Sequence, residues 1–307
     1  MSDSDWQLNT AVAFIIFNRP DTTERVFAEI AKAKPPKLLV IADGPRLDRP
    51  GEAEKCHAAR AIIERVDWPC EVLTNYSETN LGCKNRVASG LDWVFEQVPE
   101  AIILEDDCLP EPSFFRFCEE LLDRYRDDER IALISGDNFQ FGKKYGESSY
   151  YFSMYNHIWG WASWRRAWRY YDKDIRNWPK LRDSGWLKIQ AQSIRQREYW
   201  QHAFQGVYTG KIDTWDYQWT FTVWSQNMIS ILPNVNLISN IGFGSDATHT
   251  TSINIYSNMK TQSIEFPLCH PNGFDIELKA DAFTGRNMFS ISLFNMLSRV
   301  IRRIFKK

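Results

Sequence analysis

Residues 11–32 read AVAFIIFNRPDTTERVFAEIAK. The first seven, 11–17, are an unbroken apolar run of buried-strand length, and 21–32 take up helical spacing behind Asp21, a residue suited to starting a helix. The cycle then repeats along the chain. Residues 38–41 are apolar and end in Ala42-Asp43-Gly44-Pro45; 52–65 read as helix, 71–73 as a short strand, 84–97 as helix, 101–104 as strand, 113–126 as helix and 131–134 as strand. Alternating βα units of this length predict the α/β class, a mostly parallel central sheet flanked by helices. Ligands of such sheets bind beyond the carboxyl ends of the strands.

Composition agrees with that class. The 307 residues are 44% hydrophobic and 25% charged, which excludes a disordered, collagenous or coiled-coil chain. With 37 basic and 39 acidic residues the formal charge is −2, so no global field holds a nucleic acid and none is expected as a partner. The six cysteines, at 56, 70, 83, 108, 118 and 269, form no C-x-x-C pair and suit free thiols in a reducing cytosol. Residues 1–8 lack a basic segment followed by an apolar one, and no run approaches membrane-spanning length, so the expected location is cytoplasmic.

The residues that follow the strands are Asn18-Arg19-Pro20, Asp43-Gly44, 75–80, Glu105-Asp106-Asp107 and 135–138, a set rich in carboxylates and amides. No G-x-G-x-x-G follows the first strand and no G-x-x-x-x-G-K-[ST] occurs, so the usual dinucleotide and P-loop readings fail. The strongest local signal is IILEDD at 102–107, an apolar strand ending in three carboxylates. Three acids together repel one another and resist desolvation unless a cation or a hydrogen-bond network compensates. A Mg²⁺ or Mn²⁺ ion shared with substrate phosphates would do so. A solvated acidic loop is the alternative, made less natural by the apolar strand before it and Cys108-Leu109-Pro110 after it.

Past residue 150 the composition changes. Ten of the 13 tryptophans lie between Trp159 and Trp224. Indole rings fill cores or form platforms for sugars and bases; core packing is the expectation for most, with Trp161 of the W-G-W at 159–161 as the exception. Residues 288–307 carry five basic residues and no acid, with apolar residues at roughly helical intervals. A basic amphipathic helix on the inner face of an anionic membrane and a packed helix with a solvated basic face fit this pattern equally.

Taken in order, FNRPDT at 17–22, ADG at 42–44, EDD continuing through PSFF at 112–115, GW at 160–161 and WD at 215–216 resemble the glycosyltransferases of the nucleotide-sugar (GT-A) fold, most closely the N-acetylglucosaminyltransferase I family. The likeness covers about residues 11–250. It implies a nucleotide-sugar-binding half at 1–138, a Trp-rich acceptor-binding and catalytic half of the same domain at 139–260, and a C-terminal extension at 261–307 ending in the basic amphipathic helix. It also implies that Asp107 holds Mn²⁺ or Mg²⁺ on the donor diphosphate, that Asp106 bonds the ribose, and that Glu105 faces the donor sugar. Asn18 and Arg19 would line the nucleotide, and Asp43 would accept the imide N–H of uracil, favouring a UDP-sugar such as UDP-N-acetylglucosamine. A structural ion pair is the other reading of Arg19 and Asp43.

Lys84 and Arg86 open a helix from which cations could reach the diphosphate, although ordinary surface charges look the same. Transfer to an acceptor hydroxyl needs a base, a single carboxylate in an inverting enzyme. Asp216 in TWDYQW is the candidate, with Trp215 and Trp219 to exclude water, and Asp213 is its rival; the family pairs acids here, whereas Tyr217 follows Asp216. His249 in GSDATHT is a candidate second metal ligand, with Asp246 comparable. The expected activity is metal-dependent, inverting transfer from a UDP-sugar to a glycan or lipid-linked acceptor. Two alternatives stand: a sugar nucleotidyltransferase, for which residues 17–20 lack the glycine-rich basic loop, and a sugar-binding or inactive scaffold, against which the carboxylates argue.

Overall fold

The computed structural model describes residues 6–243 and 255–291. The first half alternates strand and helix as the sequence predicts, except for an additional short strand β5 directly after β4: β1 (Val12–Ile16), α1 (Pro20–Ala33), β2 (Lys37–Ala42), α2 (Glu52–Ile63), β3 (Glu71–Tyr76), α3 (Gly82–Gln97), β4 (Glu100–Glu105), β5 (Cys108–Pro110), α4 (Ser113–Arg124) and β6 (Ile131–Ser135). The second half contributes β7 (Tyr150–Ser153), β8 (Trp161–Trp164), the short helices α5 (Arg165–Trp168), α6 (Trp178–Asp183) and α7 (Leu187–Gln190), then α8 (Ile194–Tyr208), α9 (Asp216–Ser225), β9 (Ile229–Pro233), β10 (Ile238–Asn240) and α10 (Leu278–Asn287).

Eight strands form one sheet in the order β3-β2-β1-β4-β8-β6-β9-β7. β3, β2, β1 and β4 run parallel, β8 lies antiparallel between β4 and β6, β6 and β9 are parallel, and β7 closes the edge antiparallel to β9. The chain leaves β1 toward β2 on one side and returns to its other side as β4. That reversal opens a crevice at the carboxyl ends of β1 and β4, where α/β sheets hold their ligands. A two-stranded ribbon of β5 and β10 pairs Asn240 with Cys108 and draws residues 240–242 over the end of the acidic stretch, where the Ile241 N–H donates to the Asp107 carbonyl at 2.8 Å.

The central strands β1 and β2 are apolar nearly throughout because both of their faces are covered, and successive side chains alternate between the faces; β3, at the edge, is more polar and more exposed. Val12, Phe14, Ile16, Leu38, Val40, Ile102 and Leu104 pack under α1, α2 and α4, where Phe27, Ile30, Ile62 and Phe117 meet them. Ala13, Ile15, Leu39, Ile41 and Ile103 face the other way, toward Val87, Leu91 and Val94 of α3 and most of the tryptophans.

Some boundaries move from the sequence expectation. α1 begins at Pro20 rather than Asp21, because the fixed φ of proline suits the first turn; the Thr23 hydroxyl donates to the Arg19 carbonyl at 2.7 Å. β3 continues to Tyr76 because its pairing with β2 extends through Ala42. All six cysteines are free thiols. Among the described residues no helix is long and apolar enough to cross a membrane. The basic segment 292–307 lies outside the described residues; just before it, Phe289 stacks on Tyr155, with ring centroids 5.1 Å apart.

Candidate active site

At the switch point lies a cavity of about 510 Å³. Its walls come from the ends of β1, β2 and β4, the first turn of α3, residues 213–216 at the start of α9, and the segment 240–243 behind the ribbon. Stretches far apart in sequence therefore share one space: Asn18, Arg19, Asp43, Glu105, Asp106, Asp107, Asp213 and Asp216 all line it.

The three acids after β4 have separate environments. Asp106 is buried, and its Oδ2 accepts the Phe17 backbone N–H at 3.0 Å, which ties the ends of β1 and β4 together. Burial first, then the charge of Asp107, pushes the Asp106 carboxyl up to about 7. Glu105 is raised well above the carboxylate range by burial and by the charges of Asp107, Asp106 and Asp216; this last influence brings the two ends of the site into electrostatic contact. Asp107 remains partly exposed, and its Oδ2 accepts from Arg19 Nη1 at 2.8 Å. Gly242 packs directly against this pair: a Cβ there would lie 2.0 Å from Asp107 Oδ2 and 2.7 Å from Arg19 Nη1, so the pair would have to shift.

Asp216 is the first residue of α9, where the unpaired N–H groups of the helix favour a carboxylate. The Thr214 hydroxyl donates to its Oδ1, and the Tyr171 hydroxyl donates to the Trp215 carbonyl at 3.1 Å, fixing the turn. Asp213 stands exposed at the mouth, opposite Gly82. Cys83 lies between the acids, and burial followed by the charges of Glu105, Asp216 and Asp213 holds it as a neutral thiol.

Several residues singled out from the sequence have other work. The Asp43 carboxylate is saturated: Oδ1 accepts from the Gly44 and Leu81 N–H groups, each at 2.9 Å, and Oδ2 from the Gly82 N–H at 3.1 Å and Asn80 Nδ2 at 3.0 Å. A carboxylate has about four lone-pair sites, so none remains to read uracil; Asp43 instead joins the end of β2 to the start of α3. Gly44 makes this approach possible, since a Cβ there would lie 2.5 Å from the Thr79 backbone. Arg86 lines the cavity but is buried, and its guanidinium also joins β2 and β3, donating from Nε to the Ala42 carbonyl at 3.2 Å and from Nη2 to Asn75 Oδ1 at 2.8 Å. Lys84 pairs with Asp174 at 3.2 Å and does not line the cavity.

Trp161 is not a platform. It is 0% exposed and stacks on Trp215 at 5.8 Å beneath the site, because its place on β8 points it into the core shared with α3 and α9. The ring that reaches the cavity from the W-G-W is Trp159, which meets Phe243 edge-on at 5.7 Å. Ser135, Asp137 and Asn138, at the end of β6, are buried and face inward; Asp137 Oδ2 accepts the Trp159 N–H at 3.0 Å. His249 and Asp246 lie outside the described residues.

Sequence reasoning missed Glu52 and Arg46. Arg46 pairs with Glu52 at 2.5 Å, and Glu52 also takes Asn18 Nδ2 at 2.9 Å. A glutamate at the first position of a helix directly after a strand-end loop was the available signal.

The residues fit a hard divalent cation only as a shared site. Among the described residues no group of three His, Cys, Asp or Glu side chains forms a ready cage. Among the described residues Asp107 offers one accessible carboxylate, with Oδ2 already engaged by Arg19, so a bound diphosphate and water would supply further oxygens, the usual arrangement for Mg²⁺.

No protein-family model matches the chain, and no curated protein matches it. Among solved structures it is similar to 4-diphosphocytidyl-2C-methyl-D-erythritol synthase from Anaerococcus prevotii DSM 20548, at 10% identity over 73% of this chain and 88% of that one, with a TM-score of 0.37. It is also similar to UDP-glucose pyrophosphorylase complexed with UDP-glucose, at 9% identity over 73% of this chain and 90% of that one, with a TM-score of 0.36.

Proposed function

We propose that the chain is an inverting glycosyltransferase that uses a nucleoside diphosphate sugar, a UDP-sugar, as donor. The observation that carries this reading is the convergence of Glu105, Asp106 and Asp107 with Asp216 around one cavity at the switch point of the sheet. An acid cluster beside an arginine suits a diphosphate, and a separate carboxylate across the same space suits a base.

In this reading Arg19 binds the diphosphate, and Asp107 is the protein's ligand to a divalent cation. When bound, that cation neutralises charge on the departing diphosphate. Glu105 hydrogen-bonds a hydroxyl of the donor sugar. The acceptor oxygen bonds to the anomeric carbon as the bond to the diphosphate breaks, and Asp216 takes the acceptor's proton. The Thr214 hydroxyl, donating to Oδ1, orients the carboxylate.

The test is transfer from UDP-sugars in the presence of Mn²⁺, with UDP affinity measured alongside. Asp216→Asn should keep UDP affinity and lose about a hundredfold or more in transfer, the scale of a general base. Asp107→Ala should remove metal-dependent UDP binding. Unchanged transfer in Asp216→Asn would exclude it as the base, and pyrophosphate release from UTP and a sugar phosphate would favour a nucleotidyltransferase.

A further inference from the structure

Between the ends of β1 and β2 the cavity holds a hydrogen-bonding set that the transfer chemistry does not use. Glu52 is buried at the first position of α2. Its carboxylate takes Asn18 Nδ2 at 2.9 Å, the Arg46 backbone N–H at 2.6 Å, and the Arg46 guanidinium through Nε at 3.1 Å and Nη2 at 2.5 Å. Side chains from two strand ends are thereby fixed to one anion, whose pKa is lowered by these bonds in spite of its burial.

The arrangement decides which atoms are left. One amide N–H of Asn18 is given to Glu52, which fixes the orientation of the side chain; Oδ1 is its acceptor and has no partner among the described residues. On Arg46, Nε and Nη2 are committed and Nη1 remains. Both residues line the cavity, so its wall carries a fixed acceptor and a fixed donor tied to the same carboxylate. The Phe17 ring, 5.7 Å from the Arg46 guanidinium, adds a flat apolar surface beside them. Asp43, the carboxylate the sequence put forward for the base, has no free lone pair with which to compete.

We infer that Asn18 Oδ1 and Arg46 Nη1, positioned by Glu52, read the base of the donor and select one that presents a ring N–H beside a carbonyl. Uracil offers this pair. Cytosine offers the reverse order, setting an acceptor against Asn18 and an amino group against Arg46. The assignment rests on the nucleotide-sugar reading above and names the specificity residues of that site.

The experiment is calorimetric titration of the full chain with UDP and with CDP, both in MnCl₂, for the wild type and for Asn18→Ala, Arg46→Ala and Glu52→Gln. The wild type should bind UDP about tenfold or more tightly than CDP, the scale of one satisfied against one opposed hydrogen bond. Asn18→Ala should bring the ratio close to one, mainly by weakening UDP, and Glu52→Gln should lower it by freeing the Asn18 amide to turn. Should the Glu52 or Arg46 variant fail to fold, Asn18→Ala alone decides. A wild type that binds the two diphosphates equally, or an Asn18→Ala variant that keeps the preference, overturns the assignment and leaves the transferase reading intact. Binding of neither diphosphate overturns that reading and this assignment with it.

Discussion

Asp43→Ala separates a structural carboxylate from a ligand-reading one. The side chain satisfies the Gly44, Leu81 and Gly82 N–H groups and the Asn80 amide, and two of those N–H groups belong to the first turn of α3 or the residue before it. Loss of a capping carboxylate costs about 1 kcal/mol, and each stranded N–H about 1–3 kcal/mol where water does not reach it. Two effects reduce the sum: the residue lines the cavity, so water can enter, and burial raises the Asp43 pKa, so its removal returns part of a desolvation cost. The expected net loss is about 3 kcal/mol, or roughly 6 °C in Tm for a chain of this size. Thermal unfolding followed by circular dichroism measures it, with UDP affinity taken well below the transition. UDP affinity of the folded variant should fall only modestly, because the carboxylate has no lone pair facing the ligand. A Tm within about 1 °C of wild type together with a tenfold loss of UDP affinity would refute this reasoning and return Asp43 to the role of base reader.

Three further outcomes are expected. Trp161→Ala should cost about 3–5 kcal/mol of stability, as for other large buried rings, with little change in the ligand affinity of the folded fraction, whereas Trp159→Ala should weaken ligand binding; denaturant titration and calorimetry check both. Gly242→Ala forces a methyl group into the Arg19–Asp107 pair and should weaken UDP binding in Mn²⁺ about tenfold or more with the fold retained; unchanged affinity would mean that the pair plays no part in binding. Asp281 is buried, and burial raises its pKa from 3.8 to about 6 in spite of bonds from the Ser153 hydroxyl and the Met154 N–H, a rise worth about 3 kcal/mol. Because the fold binds this proton more tightly than the unfolded chain does, its contribution is fully present below about pH 4 and is lost as the pH rises through about 6. Asp281→Asn should flatten that part of the stability profile, and an unaltered slope would assign it to other groups.

The tryptophans show where sequence reading runs out. Ten of the 13 lie between 159 and 224, and the cluster is plain from composition, but which ring meets solvent depends on the strand that carries it. In W-G-W the two indoles are two residues apart, with Trp159 ahead of β8 and Trp161 on it, and only Trp159 reaches the cavity. The sidedness of β8 is set by its antiparallel pairing with β4 and β6, from separate parts of the chain. The same holds for Asp43. Its position at a strand end is legible, while the spending of its lone pairs on residues 80–82 follows from α3 beginning against the end of β2.

The α/β class, most of the strand and helix cycle of the first 135 residues, and the gathering of carboxylates at strand ends are legible in the chain itself, because apolar periodicity and residue type act over neighbouring positions. Long-range packing set the rest: the β1/β4 crevice, the opening of Glu105 and Asp216 onto one cavity, the saturation of Asp43, the burial of Trp161 and the joining of Asn18 to Arg46 through Glu52. Each of these depends on groups distant in the chain competing for the same few hydrogen-bond sites and the same buried volume, and that competition is settled only when the sheet assembles.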